Sequence, residues 1–316
     1  MVISSIDIGS NTILLLIAEY NAQEQTVKTL YNEYRVPRIS KNLKTNLMIS
    51  NEKVSEMWNV LYDYNAIIKE YKCDITLVAA TNALRIAKNG KQIADNIRTE
   101  FGWDTKIING EDEARLSFVG TIQSQVNNAK YSVIDIGGGS TEIICGSRSK
   151  IDFTKSFKVG TVSLFEKFIN TNPPMQSEIN AIENELLNYF DSLKDNSCSS
   201  TELIAVAGTP TTLSCMKQGL KIFNEDLVDK SELTLDEIIQ FTSILSVWNS
   251  TQILNEYGDV VKGREDVLLT GCLILKAVME IMKKEKLMVS SKGLRYGVII
   301  DYINSLYGEN IDLKLL

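Results

Sequence analysis

The chain has 316 residues, 44% of them apolar and 23% charged, with a formal net charge of −7 and no histidine. The length allows two domains, each burying its own core, and the acidic balance excludes a surface that draws in DNA, RNA or anionic membrane over its whole extent. The missing imidazole excludes Ser-His-Asp triads, His-ligated zinc and phosphohistidine chemistry, so proton transfer falls to carboxylate, lysine, tyrosine or cysteine.

Residues 2–6 and 13–20 predict paired strands, and 25–34 a third. The first two are joined by Asp7-Ile8-Gly9-Ser10-Asn11-Thr12. An apolar strand ending in Asp-Ile-Gly, small polar residues and a returning strand together predict a turn with free N–H groups, which is an anion-binding nest. Residues 35–46, RVPRISKNLKTN, are polar and turn-rich. Residues 51–71 predict a helix with Val54, Met57, Trp58, Leu61 and Ile68 as its core face. A strand at 75–80 leads into a short helix that Thr81 can cap. Arg85 stands near its end, where a cation suits the helix dipole. The next helix, from Asn109 to about residue 124, opens with Glu111, Asp112 and Glu113. Three acids in a first turn suit the macrodipole, and Glu111 can pair with Arg115 one turn on.

The polar stretch 125–130 reads as a domain boundary. After it comes YSVIDIGGGSTEII at 131–144, a second copy of the strand–Asp-Ile-Gly–strand pattern and hence an internal repeat at domain scale. Gly137, Gly138 and Gly139 let a ligand approach the backbone, and Ser140 follows. Asp135 and Glu142 flank this nest. Acids beside a phosphate site repel it unless a cation lies between, so Mg²⁺ or Mn²⁺ is expected there. Farther on, 151–157 predicts a strand, and Val159-Gly160-Thr161 opens a helix to about residue 168. A strand at 203–207 meets a helix near Gly208 and Thr209, where hydroxyl residues at a helix start make a third anion site. Residues 175–193, 234–248, 252–257, 266–284 and 294–306 predict helices. In the fourth of these, Val267, Leu268, Leu269, Leu273, Ile274 and Val278 form a buried face. Lys283, Lys284, Lys286, Lys292 and Arg295 make a dense basic cluster, either a solvated helix end or a grip on a phosphate tail. Five scattered cysteines without CxxC spacing fit reduced thiols. With no apolar run long enough to span a bilayer and no leader pattern, the expectation is a cytoplasmic protein with no membrane and no DNA partner.

The two Asp-Ile-Gly turns resemble the phosphate loops of the actin, sugar-kinase and heat-shock ATPase superfamily. The whole chain is similar to the exopolyphosphatase/guanosine pentaphosphatase family (Ppx/GppA), in its short two-domain form. The matching segments run in order: IDIGSNTILLLIA at 6–18, AATNALRIAKN at 79–89, INGEDEARLSFVG at 108–120, VIDIGGGSTEII at 133–144, FKVGTVSLFEKF at 157–168, AVAGTPTTL at 205–213, GREDVLLTGCLIL at 263–275 and VSSKGLRYG at 289–297.

The resemblance implies two α/β actin-like (ribonuclease H-like) domains, at 1–125 and 126–299, with a helix from about 300 returning to the first and the active site in the cleft between them. It implies removal of terminal phosphate from polyphosphate or guanosine pentaphosphate. Gly9, Ser10, Asn11, Gly137, Gly138, Gly139, Ser140, Gly208 and Thr209 would cradle phosphate, Arg85 would reach it, and Asp135 and Glu142 would hold Mg²⁺. Glu113, directly before Ala-Arg, would activate water, leaving Glu111 and Asp112 to the helix start. Two departures stand out: the 35–46 segment lacks the family's glycine, and Tyr296 stands where the family has an acid. A non-catalytic sensor of polyphosphate or guanosine tetraphosphate and an ATP-dependent kinase of the superfamily are the alternatives. A homodimer is left open.

Overall fold

A computed structural model of the protein describes residues 1–43, 47–125, 129–194, 202–308 and 313–316. Residues 44–46 of the polar stretch, 126–128 of the expected boundary and Cys198 lie outside the described residues. The chain divides into two compact units, Met1–Ala129 with Lys292–Leu316, and Lys130–Ser291. The sequence expectation ran the second domain to residue 299; the division falls after Ser291, so the last helix belongs entirely to the first unit.

The first unit starts with an antiparallel meander of β1 (Val2–Ile8), β2 (Ile13–Asn21) and β3 (Thr26–Arg35), with Ile8 opposite Ile13. Helix α1 (Asn51–Glu70) follows, its first turn capped by the Ser50 hydroxyl. Strand β4 (Ile75–Ala80) runs parallel to β1. Next come α2 (Asn82–Ile86), α3 (Gly90–Phe101), β5 (Thr105–Ile107) and α4 (Gly110–Ile122). Thr81 is the cap residue of α2 by position, but its hydroxyl donates to the Ile8 carbonyl at the end of β1 and accepts from no amide of the helix.

The second unit repeats the opening meander with β6 (Tyr131–Ile136), β7 (Thr141–Ser147) and β8 (Lys150–Phe157). It continues with α5 (Thr161–Phe168), α6 (Gln176–Phe190), β9 (Glu202–Val206), parallel to β6, and α7 (Gly208–Lys217). The rest is α8 (Glu225–Val228), β10 (Glu232–Thr234), α9 (Leu235–Val247), α10 (Ser250–Tyr257), α11 (Leu268–Ile281) and β11 (Lys286–Val289). The chain then returns to the first unit as α12 (Leu294–Tyr307) and β12 (Lys314–Leu315). Strand orders are β12-β3-β2-β1-β4-β5 and β10-β11-β9-β6-β7-β8. In both, the strand ending in Asp-Ile-Gly lies between its hairpin partner and a parallel strand, so the sequence repeat is a repeat of topology.

The first sheet is covered on both faces, which is why its central strands read as continuous apolar runs. Along β2, Ile13, Leu15 and Ile17 pack with Met57, Leu61 and Tyr64 of α1. The alternate Leu16, Ala18 and Tyr20 pack with Tyr296, Ile299, Ile300 and Ile303 of α12. Tyr296 is thus a core residue; its hydroxyl pairs with Thr29 Oγ1 at 2.9 Å and Lys292 Nζ lies 4.7 Å from its ring centroid. Helix α12 crosses α4 at backbone contact. A Cβ on Gly297 would sit 1.8 Å from the Leu116 carbonyl, and one on Gly120 would sit 2.2 Å from that of Gly293. Cys73, Cys215 and Cys272 are free thiols, and burial pushes Cys215 up to about 11. Cys145 is disulfide-bonded, against the expectation of reduced thiols throughout. Among the described residues no helix is long and apolar enough to cross a membrane.

Candidate functional site

The two Asp-Ile-Gly turns have the same local build. In the first, Gly9 N–H donates to the Thr12 carbonyl at 3.0 Å; in the second, Gly137 N–H donates to the Ser140 carbonyl at 2.9 Å. The carbonyls between are held from behind. Ser10 and Asn11 accept from the amides of Ser40 and Arg38, while Gly137 and Gly138 accept from the amides of Thr161 and Ser163, each bond 3.0 Å. Bonds from behind to these carbonyls fix the backbone of each turn. The glycine-free 35–43 segment therefore serves the first turn through its main chain. Ser10 Oγ also accepts from Asn82 Nδ2 at 3.3 Å. Asn11 is 9% exposed, and its Oδ1 has no hydrogen-bond partner among the described residues.

Arg85 and Glu113, 28 positions apart, form an ion pair: Nη1 lies 2.9 Å from Glu113 Oε2 and 2.7 Å from the Ile108 carbonyl. Glu113 is buried. The other two acids of its turn are exposed. Asn109 caps α4 by accepting from the Asp112 amide at 2.8 Å, and Asp112 accepts in return from Asn109 Nδ2. Arg115 pairs with Asp301 of α12 at 2.7 Å, not with Glu111. One carboxylate of the three is thus withdrawn from water beside a guanidinium, and that is the one the family pattern marks.

In the second unit Asp135 and Glu142 are cross-strand partners at the mouth of the hairpin. Like charges directly opposite repel, and Glu142 is 1% exposed. Ser156, opposite Glu142 on β8, donates to its Oε1 at 2.6 Å, an orienting contact that the strand alternation predicts only once the register is known. Among the described residues no three acidic, cysteine or histidine side chains gather as a metal cage. Two oxygen-donor carboxylates without a third fit Mg²⁺, which keeps several waters and completes its shell with substrate phosphates.

The third turn stands at the start of α7. Ala207 has φ 76° and ψ −166°, a region of the backbone map that belongs to glycine and costs of order 1–3 kcal/mol in strain. Gly208 follows, and Thr209 is buried. Arg264 sends Nη1 to the Gly208 carbonyl and Thr212 Oγ1, both at 3.3 Å. The residues of the basic cluster are divided between the two units. Lys283, Lys284 and Lys286 belong to the second unit, where Lys286 pairs with Glu232. Lys292 and Arg295 belong to the first, where Arg295 bonds the Leu15 carbonyl and Asn32.

Against known proteins, a sequence model described as the Ppx/GppA phosphatase family matches residues 16–306. A bifunctional 3-dehydroquinate synthase/phosphatase of Fusobacterium nucleatum is 28% identical, over 96% of this chain and 46% of that protein. A guanosine-5'-triphosphate,3'-diphosphate pyrophosphatase of Pseudoalteromonas translucida is 26% identical, over 97% of this chain and 60% of that protein. The chain therefore spans about half to three fifths of the length of these relatives. The crystal structure of the Aquifex aeolicus member of the Ppx/GppA family superposes with a TM-score of 0.82 at 26% identity, covering 98% of this chain and 99% of that one.

Proposed function

The chain belongs to the Ppx/GppA phosphatase family, and from that premise we propose that it hydrolyses the terminal phosphoanhydride bond of a linear phosphate chain, inorganic polyphosphate or guanosine pentaphosphate. The observation that carries the reading is the pair of matched turns, Gly9–Thr12 and Gly137–Ser140, each with its carbonyls pinned from behind.

In this reading the turn amides, with Thr209 and the Gly208 amide, hold phosphate oxygens. Arg85 uses Nη1 on Glu113 and keeps the rest of its planar fork for phosphate. Glu113 takes a proton from the attacking water. The water oxygen bonds to the terminal phosphorus, the bridging P–O bond breaks with its electrons left on the shortened chain, and orthophosphate departs. A divalent cation at Asp135 and Glu142, when bound, would neutralise charge on the phosphate oxygens. Ser156 holds Glu142 in one orientation for that task. Phosphoryl transfer needs chiefly positioning and charge neutralisation, and these groups supply both.

The test is orthophosphate release measured side by side on polyphosphate, guanosine pentaphosphate and ATP. Turnover of either of the first two well above ATP is expected. Faster turnover of ATP would move the reading to a kinase or ATPase, and tight binding without turnover would move it to a sensor.

A further inference from the structure

The segment GREDVLLTG at 263–271 recurs in the family pattern, yet the reading above gives it no task. It touches both phosphate elements of the second unit. At one end, Arg264 Nη1 bonds the Gly208 carbonyl and Thr212, and a Cβ on Gly208 would lie 2.7 Å from that same Nη1. At the other end, a Cβ on Gly271 would lie 2.3 Å from Oγ1 and 2.7 Å from Cγ2 of Thr209, so the Thr209 side chain rests directly on the α11 backbone. The residue between them in contact, Thr270, is fully buried and shares its hydroxyl hydrogen between the Val267 carbonyl at 2.6 Å and the Thr161 carbonyl at 2.9 Å. Thr161 opens α5, and the amides of Thr161 and Ser163 hold the carbonyls of Gly137 and Gly138. Gly160, just before it, has no room for a side chain: a Cβ there would lie 2.6 Å from both the Gly137 oxygen and the Gly138 carbonyl carbon.

We propose that residues 264–271 are a positioning clamp that fixes the Gly208–Thr212 turn directly and the Gly137–Ser140 turn through α5, holding both in the geometry that receives phosphate. The chain of contact is short: Thr270 to Thr161, Thr161 and Ser163 to the glycine carbonyls, Gly271 to Thr209. The clamp rests on the functional reading for its purpose but not for its existence, and the two are separable by experiment. Thr270 and Gly271 act through other residues and touch no substrate, so the effect belongs in ligand affinity and turn rigidity, not in the proton-transfer step.

The test uses full-length Thr270→Val, which keeps the shape of the side chain, with Thr270→Ser as its conservative rescue, and Gly271→Ala. Thr171→Val, which removes a contact to the buried Glu178 and none of the bonds of the clamp, is the control for stability alone. Binding of tripolyphosphate with Mg²⁺ is measured by calorimetry, and amide exchange is followed at Gly137, Thr161 and Ser163. The clamp predicts that Thr270→Val weakens tripolyphosphate binding roughly fivefold, as loss of one hydrogen bond of about 1 kcal/mol would, and speeds exchange at Thr161 and Ser163. Thr270→Ser should restore both, Gly271→Ala should weaken binding, and Thr171→Val should leave affinity unchanged. Unchanged exchange at Thr161 and Ser163 in Thr270→Val overturns the clamp, as does an affinity loss that Thr171→Val matches. If the wild-type protein neither binds nor hydrolyses phosphate chains, the functional reading falls, and the exchange data alone uphold or overturn the clamp.

Discussion

In the proposed reaction Glu113 is the residue on which the chemistry turns. It is buried, and its carboxylate is held by a guanidinium that also bonds the Ile108 carbonyl. Glu113→Gln keeps the size of the side chain and an oxygen for Arg85 while removing the base. A general base contributes roughly 10²–10⁴-fold, so turnover should fall by that factor while tripolyphosphate affinity stays near that of the wild type. Glu111→Gln and Asp112→Asn should leave turnover unchanged and cost at most about 1 kcal/mol at the helix start, read as a shift in thermal midpoint. A crippled Glu111→Gln beside an active Glu113→Gln would reverse the assignment. The thiols set a second expectation at this scale. The buried Cys215 thiol titrates near 11 in the folded chain, against an ordinary value of 9.0. Because its folded value is raised, the stability it lends is complete below pH 9 and is lost as pH rises toward 11. Denaturant midpoints across that window should therefore fall less in Cys215→Ala than in the wild type.

Among the elements, α4 and α12 are brought to backbone contact by two glycines. Gly297→Ala puts a methyl into the Leu116 carbonyl, and the helices must part. Overpacking of this kind costs roughly 2–3 kcal/mol, so a clear drop in thermal midpoint is expected, with turnover falling as well because α4 carries Glu113. A variant as stable and active as the wild type would show that the crossing is tolerant. Both hairpin turns were legible in the sequence because a β-branched run, a terminal Asp and a glycine all point to one backbone. The long helices were legible from their periodicity. The three-residue β5 and two-residue β12 were not, being too short to carry a pattern, and α3 went unread beside them. The Arg85–Glu113 pair was foreshadowed only as two separate residues, since nothing local joins positions 28 apart. The supports behind the turns could not be read at all, because the amides of Arg38, Ser40, Thr161 and Ser163 act through the main chain, where residue type leaves no mark. Ser156 was hidden for a related reason: its place opposite Glu142 depends on the register of β7 and β8.

At the scale of the whole molecule, an acidic chain of net charge −7 proposed to act on a polyanion faces general repulsion, so the proposed cation would serve approach as well as chemistry. Activity should disappear with EDTA and return with Mg²⁺ or Mn²⁺, and Asp135→Asn should weaken Mn²⁺ binding, followed by its paramagnetic signal without substrate. Full activity in metal-free buffer would remove Asp135 and Glu142 from the role of cation ligands. The interrupted layout of the first unit has a consequence of another kind. Its meander strands are made before the second unit, but α12, which covers Leu16, Ala18 and Tyr20, and β12, which pairs with β3, are made after it. On a translating ribosome the second unit has its full complement of residues while the first still lacks a layer. Domains that fold during synthesis ordinarily finish in the order they emerge; here the first unit cannot be complete until α12, which follows the second unit in the chain, has cleared the exit tunnel.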